Sequence, residues 1–157
     1  MEVIMTKIIF VCFGNICRSP MAEFVMKHLV TKANLEKDFL IESAGCHPSI
    51  GTPLSEGTAR ELRKNKVPFT RRTSKLLLES DYKKFDYLIG LDRSNVRDMK
   101  EICGGDPDGK IFLLMDLAGE HRDVADPWYT NDYATSYRDI LVACEALLEF
   151  IKGAKKV

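Results

Sequence analysis

The chain has 157 residues, 45% of them hydrophobic and 29% charged, the make-up of an ordinary globular protein long enough for one sizeable core. Its 23 lysines and arginines balance 23 aspartates and glutamates. This excludes a global field that would recruit nucleic acid or an anionic membrane, so any anion site must be built locally. Five cysteines, at 12, 17, 46, 103 and 144, form an odd, scattered set that argues against a disulfide scaffold and for a reducing compartment. No signal-peptide layout and no bilayer-spanning run is present, so a cytoplasmic protein with no membrane association is expected.

Residues 7–12 read as a buried strand, and Ser19-Pro20 as the start of a helix with Glu23 in its first turn. Met21, Phe24, Val25, Leu29 and Val30 recur at helical spacing and carry that helix to about residue 33. Phe39-Leu40-Ile41 begins a short strand ending at Ser43, followed by a Gly- and Pro-containing loop from Ala44 to Pro53. Thr58 to Lys66 is helical in pattern and is stopped by Val67-Pro68. Residues 68–78 are polar to mixed, with Arg71, Arg72 and Lys75 among them. Phe85 to Leu91 is a third strand, Ser94 to Ile102 a helix closed by Gly104-Gly105, and Ile111 to Leu114 a fourth strand. A long loop leads to Asp126-Pro127-Trp128-Tyr129. The last helix, over roughly 133–151, aligns Tyr137, Ile140, Leu141, Cys144, Leu147, Leu148 and Ile151 on one face.

Near-continuous apolar strands alternating with helices predict an α/β fold: a single-domain three-layer sandwich in which a four-stranded parallel sheet is flanked by helices on both faces. Ligands of such sheets bind beyond the carboxyl ends of the strands. Cys12, the loop after Ser43 and the loop after Leu114 all belong there.

The segment Val11-Cys12-Phe13-Gly14-Asn15-Ile16-Cys17-Arg18-Ser19-Pro20 joins the first strand to the first helix. Residues 13–18 can turn successive N–H groups inward as an anion-binding nest, and Gly14 and Asn15 tolerate the positive φ that such a curl uses. Arg18, the helix N-terminus and a hydroxyl donated by Ser19 would all favour the thiolate of Cys12. The same groups suit the non-bridging oxygens of a phosphoryl group, with the Arg18 guanidinium forking onto two of them. Attack by Cys12 would give a phosphocysteine, which splits one difficult displacement into two easier ones. The reading without function is a strand-to-helix turn that happens to contain Cys and Arg.

A leaving alkoxide needs a proton donor, and Asp126 is the candidate. Asp-Pro is also a common turn signal. The case for an acid lies in the chemical need and in Trp128 and Tyr129, an aromatic pair able to wall a flat substrate together with Phe13. The alternatives are a half-exposed loop residue for Phe13 and a helix-capping aromatic for Tyr129.

With these residues in view, residues 11–23 resemble the signature loop of the low-molecular-weight protein tyrosine phosphatases. The likeness extends over nearly the whole chain through Glu42-Ser43-Ala44-Gly45, Leu91-Asp92-Arg93-Ser94-Asn95 and Asp126-Pro127-Trp128-Tyr129. It implies a phosphotyrosine phosphatase domain over 1–157 with Cys12 as nucleophile, Arg18 as phosphate clamp and Asp126 as general acid and then base. It implies a phosphate-binding loop of Phe13, Gly14, Asn15, Ile16 and Cys17, supported by a network of Asn15, Ser19 and Ser43 with Asp92 nearby. Cys17 matches a cysteine that in the family can form a reversible disulfide with the nucleophile; a helix-start residue without redox consequence is the equal alternative. Phosphotyrosine-containing proteins would be the substrates and inorganic phosphate the product.

The chain departs from the family after Ser43, where relatives often carry an aromatic over the substrate ring. Here His47 takes that place or is a solvated loop histidine. Trp128 stands where many relatives have tyrosine. Within the same fold, arsenate reductases relay through two further cysteines near residues 80–90, and none occurs there. Phosphoarginine phosphatases carry a threonine before the second loop cysteine; the apolar Ile16 points instead to phosphotyrosine. A module that only docks phosphate would leave Cys12, Arg18 and Asp126 unexplained. No Cys or His set has metal-ligand spacing and no nucleotide-binding Gly-Lys loop occurs, so neither metal nor cofactor is expected.

Overall fold

The computed structural model describes residues 4–154; the first and last three residues of the expected 1–157 domain lie outside it. Four strands, β1 (Thr6–Cys12), β2 (Phe39–Gly45), β3 (Tyr87–Gly90) and β4 (Ile111–Leu113), form an all-parallel sheet in the order β2-β1-β3-β4. The helices are α1 (Arg18–Lys32), α2 (Glu56–Lys64), α3 (Asp81–Lys84), α4 (Arg93–Cys103), α5 (Pro127–Thr130) and α6 (Tyr133–Ala154). Single 3₁₀ turns occupy Glu36–Asp38 and Leu114–Ala118. The expected α/β sandwich with helices on both faces is what forms.

β1 lies inside the sheet and is buried on both sides, which is why it reads as an unbroken apolar run. Ile8, Phe10 and Cys12 face a core shared with α1 and α6, where Met21, Phe24, Val25, Ile140, Cys144 and Leu147 pack. Ile9 and Val11 face the second core, with Leu77, Phe85 and Met99. Burying a side chain such as Phe10 contributes about 1.5–3 kcal/mol, and such burial holds the central strand rigid beneath its C-terminal end. Successive strands diverge from β1, β2 to one side and β3 to the other, so the chain opens a crevice at the end of β1. Cys12 is the last residue of that strand.

Some boundaries differ from expectation. β2 runs on to Gly45 because Gly45 N–H and C=O bond the Lys75 carbonyl and the Leu77 N–H, drawing the supposed loop into a sheet-like pairing. α2 begins earlier than Thr58, since Ser55 accepts the Thr58 N–H and caps it. α1 begins at Arg18, which moves Glu23 out of the first turn. There it accepts hydrogen bonds from Ser43 and Lys27.

Candidate active site

β1 ends and α1 begins within six residues, and the loop between them wraps the Cys12 sulfur. Ser19 Oγ lies 2.9 Å from Cys12 Sγ, and the Asn15 N–H donates to the sulfur at 3.3 Å. Cys17, at the N-cap of α1, offers no side-chain cap. The first-turn N–H groups of this 15-residue helix therefore have no side-chain cap from Cys17. Of the two residues expected at positive φ, only Asn15 adopts it, at 57°.

That conformation is held by saturating the Asn15 amide. Nδ2 donates to Ser19 Oγ at 2.9 Å and Ser43 Oγ at 3.0 Å, while Oδ1 accepts from the Lys75 N–H at 3.0 Å and Arg72 Nη2 at 2.6 Å. Arg72 Nη2 also donates to the Asn15 carbonyl at 2.6 Å. Ser43 passes its own hydrogen to Glu23 at 2.6 Å, so the network runs from Glu23 through Ser43, Asn15 and Ser19 to Cys12. Ser43 thus links Asn15 to Glu23. Arg72, Glu23 and the Lys75 N–H were not foreseen: three cations in a mixed stretch give no signal as to which one reaches inward. Burial pushes the Arg72 guanidinium below its ordinary value against the opposing charges of Glu23 and Cys12, and its Nη1 is buried without a partner.

Arg18 is 2% exposed. Its Nη1 donates to Asp92 Oδ2 at 2.8 Å and to the Val124 carbonyl at 2.9 Å. These bonds hold the guanidinium by Nη1, and Arg18 lines the cavity at the Cys12 sulfur. Burial would lower its affinity for a proton, but Cys12, Asp126 and Asp92 outweigh that and hold it above the ordinary value. Asp92 caps α4 as well, accepting from the Asn95 N–H at 2.7 Å. Burial acts to raise its pKa, yet the hydrogen bonds from Ser94, Asn95 and Arg18 leave it below the usual carboxylate range.

Asp126 comes from the far end of the chain. It caps α5 by accepting the Trp128 N–H at 3.0 Å through Oδ1, and turns Oδ2 to within 3.4 Å of Arg18 Nη2. Pro127 at the first helical position and the cap explain why this Asp-Pro starts a helix. Cys12, Arg18 and Asp126 line one cavity of 390 Å³ together with Phe13, Gly14, Ile16, Cys17, His47, Trp128 and Tyr129. Phe13, Trp128 and Tyr129 are exposed at its mouth. His47 is both solvated and part of the wall: its ring meets Phe13 edge-on at 5.0 Å, and Nε2 lies 3.1 Å from Asp98 Oδ2.

The other side of the loop is gripped by α2. Ser55 N–H donates to the Ile16 carbonyl at 2.9 Å, and Thr58 Oγ1 donates to the Cys17 carbonyl at 3.2 Å. The Cys17 thiol donates to Ser55 Oγ at 3.3 Å, and burial pushes it up from its ordinary value. Cys46 is pushed up to about 12 by burial. Gly45 allows the two loops to touch, since a Cβ there would fall 2.7 Å from the Phe13 carbonyl oxygen.

A profile described as low molecular weight phosphotyrosine protein phosphatase matches residues 7–157. The low molecular weight protein-tyrosine-phosphatase PtpA of Staphylococcus aureus is 38% identical over 149 residues, 94% of each chain. Among solved structures, YfkJ from Bacillus subtilis superposes with a TM-score of 0.92 at 36% identity, covering 96% of this chain and 97% of that one. SP-PTP, the low molecular weight protein tyrosine phosphatase from Streptococcus pyogenes, gives 0.82 at 38% identity over 92% of both chains.

Proposed function

Because the chain belongs to the low molecular weight phosphotyrosine protein phosphatase family, we propose that it hydrolyses phosphotyrosine in protein substrates, releasing inorganic phosphate, with Cys12, Arg18 and Asp126 as its reacting groups. The observation that carries this reading is the convergence of those three side chains on one cavity around the Cys12 sulfur.

Cys12 Sγ attacks phosphorus from the end of β1 while Arg18 and the loop N–H groups hold the non-bridging oxygens. The bond from phosphorus to the phenolic oxygen breaks, and Asp126 Oδ2 gives its proton to that oxygen. Asp126, now a carboxylate, then takes a proton from a water that attacks the phosphocysteine. The phosphorus–sulfur bond breaks, phosphate leaves and the Cys12 thiolate is restored. Ser19 Oγ, 2.9 Å from the sulfur, stabilises it as leaving group in this second step.

The walls favour an aryl ester. Phe13, Ile16, Trp128 and Tyr129 offer apolar contact to a phenol ring, and Ile16 has no hydroxyl with which to assist a guanidino phosphate. An arsenate-reductase relay is disfavoured because Cys103 packs against Tyr82 and Phe85 in the core on the opposite sheet face from Cys12.

Steady-state kinetics on matched phosphotyrosine, phosphoserine and phosphoarginine peptides test the assignment. Phosphotyrosine is expected to be turned over with kcat/KM at least about a hundredfold above the others, a difference of about 2.7 kcal/mol in transition-state binding. Equal values for phosphoarginine would refute the aryl specificity. Cys12→Ser should retain phosphate binding and lose turnover; a rate within tenfold of the parent would refute the covalent route.

A further inference from the structure

The first residue of α6 touches the phosphate-binding loop from outside the site. Tyr133 projects its phenol end onto the N-terminal turn of α2, where Gly57 leaves a notch. A Cβ at Gly57 would fall 2.2 Å from Tyr133 Cζ and within 2.6 Å of both Cε atoms. From that notch the Tyr133 hydroxyl reaches to 3.8 Å from Cys17 Sγ, beside the Ser55 and Thr58 bonds that hold Ile16 and Cys17. Tyr133 is separated by only two residues from the end of α5, the short helix that Asp126 caps. One turn further along α6, Ser136 Oγ donates to the Ala125 carbonyl at 3.1 Å, next to Asp126 itself. The start of α6 therefore grips the Asp126 segment with one residue and the loop with another.

We propose that Tyr133, seated in the Gly57 notch, is a positioning residue that sets the approach of Asp126 to the phosphate-binding loop. The proposal rests on Asp126 being the acid of the proposed reaction. Its separation from a merely structural role lies in the leaving group. A nitrophenolate, the more acidic leaving group, depends less on a proton than the phenolate of tyrosine, whose conjugate acid has a pKa of about 10. Misplacing Asp126 thus slows the tyrosine ester more than the nitrophenyl ester. Loosening the loop slows both.

The test is the ratio of kcat/KM for phosphotyrosine to that for 4-nitrophenyl phosphate, in which the fraction of folded enzyme cancels. Tyr133→Ala and Gly57→Ala are each expected to lower the ratio by about tenfold, a modest share of the usual acid–base contribution. Tyr133→Phe, which keeps the ring in the notch, should restore it to within about twofold of the parent value. Gly57→Ala should have no further effect on the ratio when Tyr133 is already alanine, because the clashing ring is gone. An unchanged ratio in Tyr133→Ala, a failure of phenylalanine to restore it, or a full Gly57→Ala effect in the Tyr133→Ala background would overturn the proposal. Asp126→Asn measured alongside separates the two layers. If it leaves the ratio unchanged, the acid assignment fails. If it lowers the ratio and Tyr133→Ala does not, only the positioning role fails.

Discussion

Asp92→Asn probes how Arg18, the proposed phosphate clamp, is held, because Asp92 serves two masters with two oxygens. Oδ1 accepts from the Asn95 N–H and Ser94 Oγ, both at 2.7 Å, and Oδ2 accepts from Arg18 Nη1 at 2.8 Å. Asparagine is as good an N-cap as aspartate, but its amide has a single oxygen. With that oxygen on the cap, the NH₂ group faces the guanidinium, donor against donor. The side chains of Arg18 and Asp92 are only 3% and 17% exposed, so the loss is that of a buried pair with one partner removed. Such losses run to 3–5 kcal/mol; the partial solvent access of Asp92 places this one at the low end, about 3 kcal/mol. With a urea m value of about 2 kcal/mol/M for a domain of this size, the unfolding midpoint should fall by about 1.5 M. Arg18 would retain only the Val124 carbonyl on Nη1, and kcat/KM should fall on the order of 10²-fold. The dependence on pH is the sharper check. The folded pKa of Asp92 is depressed, so its stabilisation is complete above the unfolded value of about 4 and is lost as pH falls through the lower folded value. The gap between parent and variant should therefore be constant from pH 7 to pH 5 and narrow below pH 4. A midpoint shift under about 0.3 M with unchanged kcat/KM, or a gap that does not narrow in acid, would refute the reasoning.

Asp126→Asn should lower kcat on phosphotyrosine by about 10²–10⁴; an unchanged rate in a stopped assay removes Asp126 from the mechanism. Arg72→Met removes two 2.6 Å bonds to Asn15 while relieving an unpartnered buried Nη1. The net cost in stability is expected to be small, about 1–2 kcal/mol by urea unfolding, with a much larger loss in phosphate affinity by calorimetry; unaltered affinity would show that Arg72 does not hold the loop. Gly45→Ala puts a Cβ 2.7 Å from the backbone oxygen of Phe13, which no rotamer change can relieve. A cost of about 1–3 kcal/mol and weakened phosphate binding should follow, and a variant with parental stability and affinity would contradict the observed contact between the loops.

Local physics made the strand, the helix and the residues proposed to react readable. β1 is buried on both faces and so is apolar throughout, and Cys12, Arg18 and Asp126 are residue types that chemistry demands in a phosphoryl site. The supporting residues carry no such mark. Arg72 looks like Arg71, its neighbour in an uneven charged stretch, and becomes distinct only when β2 and residues 73–77 come alongside the loop and turn it inward. Glu23 read as a helix-start charge because helix N-termini attract acids; of its two partners, Lys27 is one turn along the helix, whereas Ser43 is twenty residues away in sequence and adjacent only in the fold. Ser55 stands three residues before Thr58 in a recognisable capping position, yet its bond to the Ile16 carbonyl depends on how α2 packs.

These supports explain why the loop can hold a left-handed Asn15 beside the Cys12 sulfur. A non-glycine residue at φ 57° is an uncommon conformation that persists only where its surroundings determine it. Here both amide hydrogens and the carbonyl oxygens of Asn15 are engaged from three directions: α1 through Ser19, β2 through Ser43, and the 72–75 segment through Arg72 and Lys75. On the other flank α2 fixes Ile16 and Cys17, and Asp92 fixes Arg18. Each anchor arises from a different element, so the loop's shape is set by the surrounding fold together with its own Asn15. A loop held in this way is fixed in advance, which is the condition under which, in the proposed reaction, its donors would be most effective in a transition state.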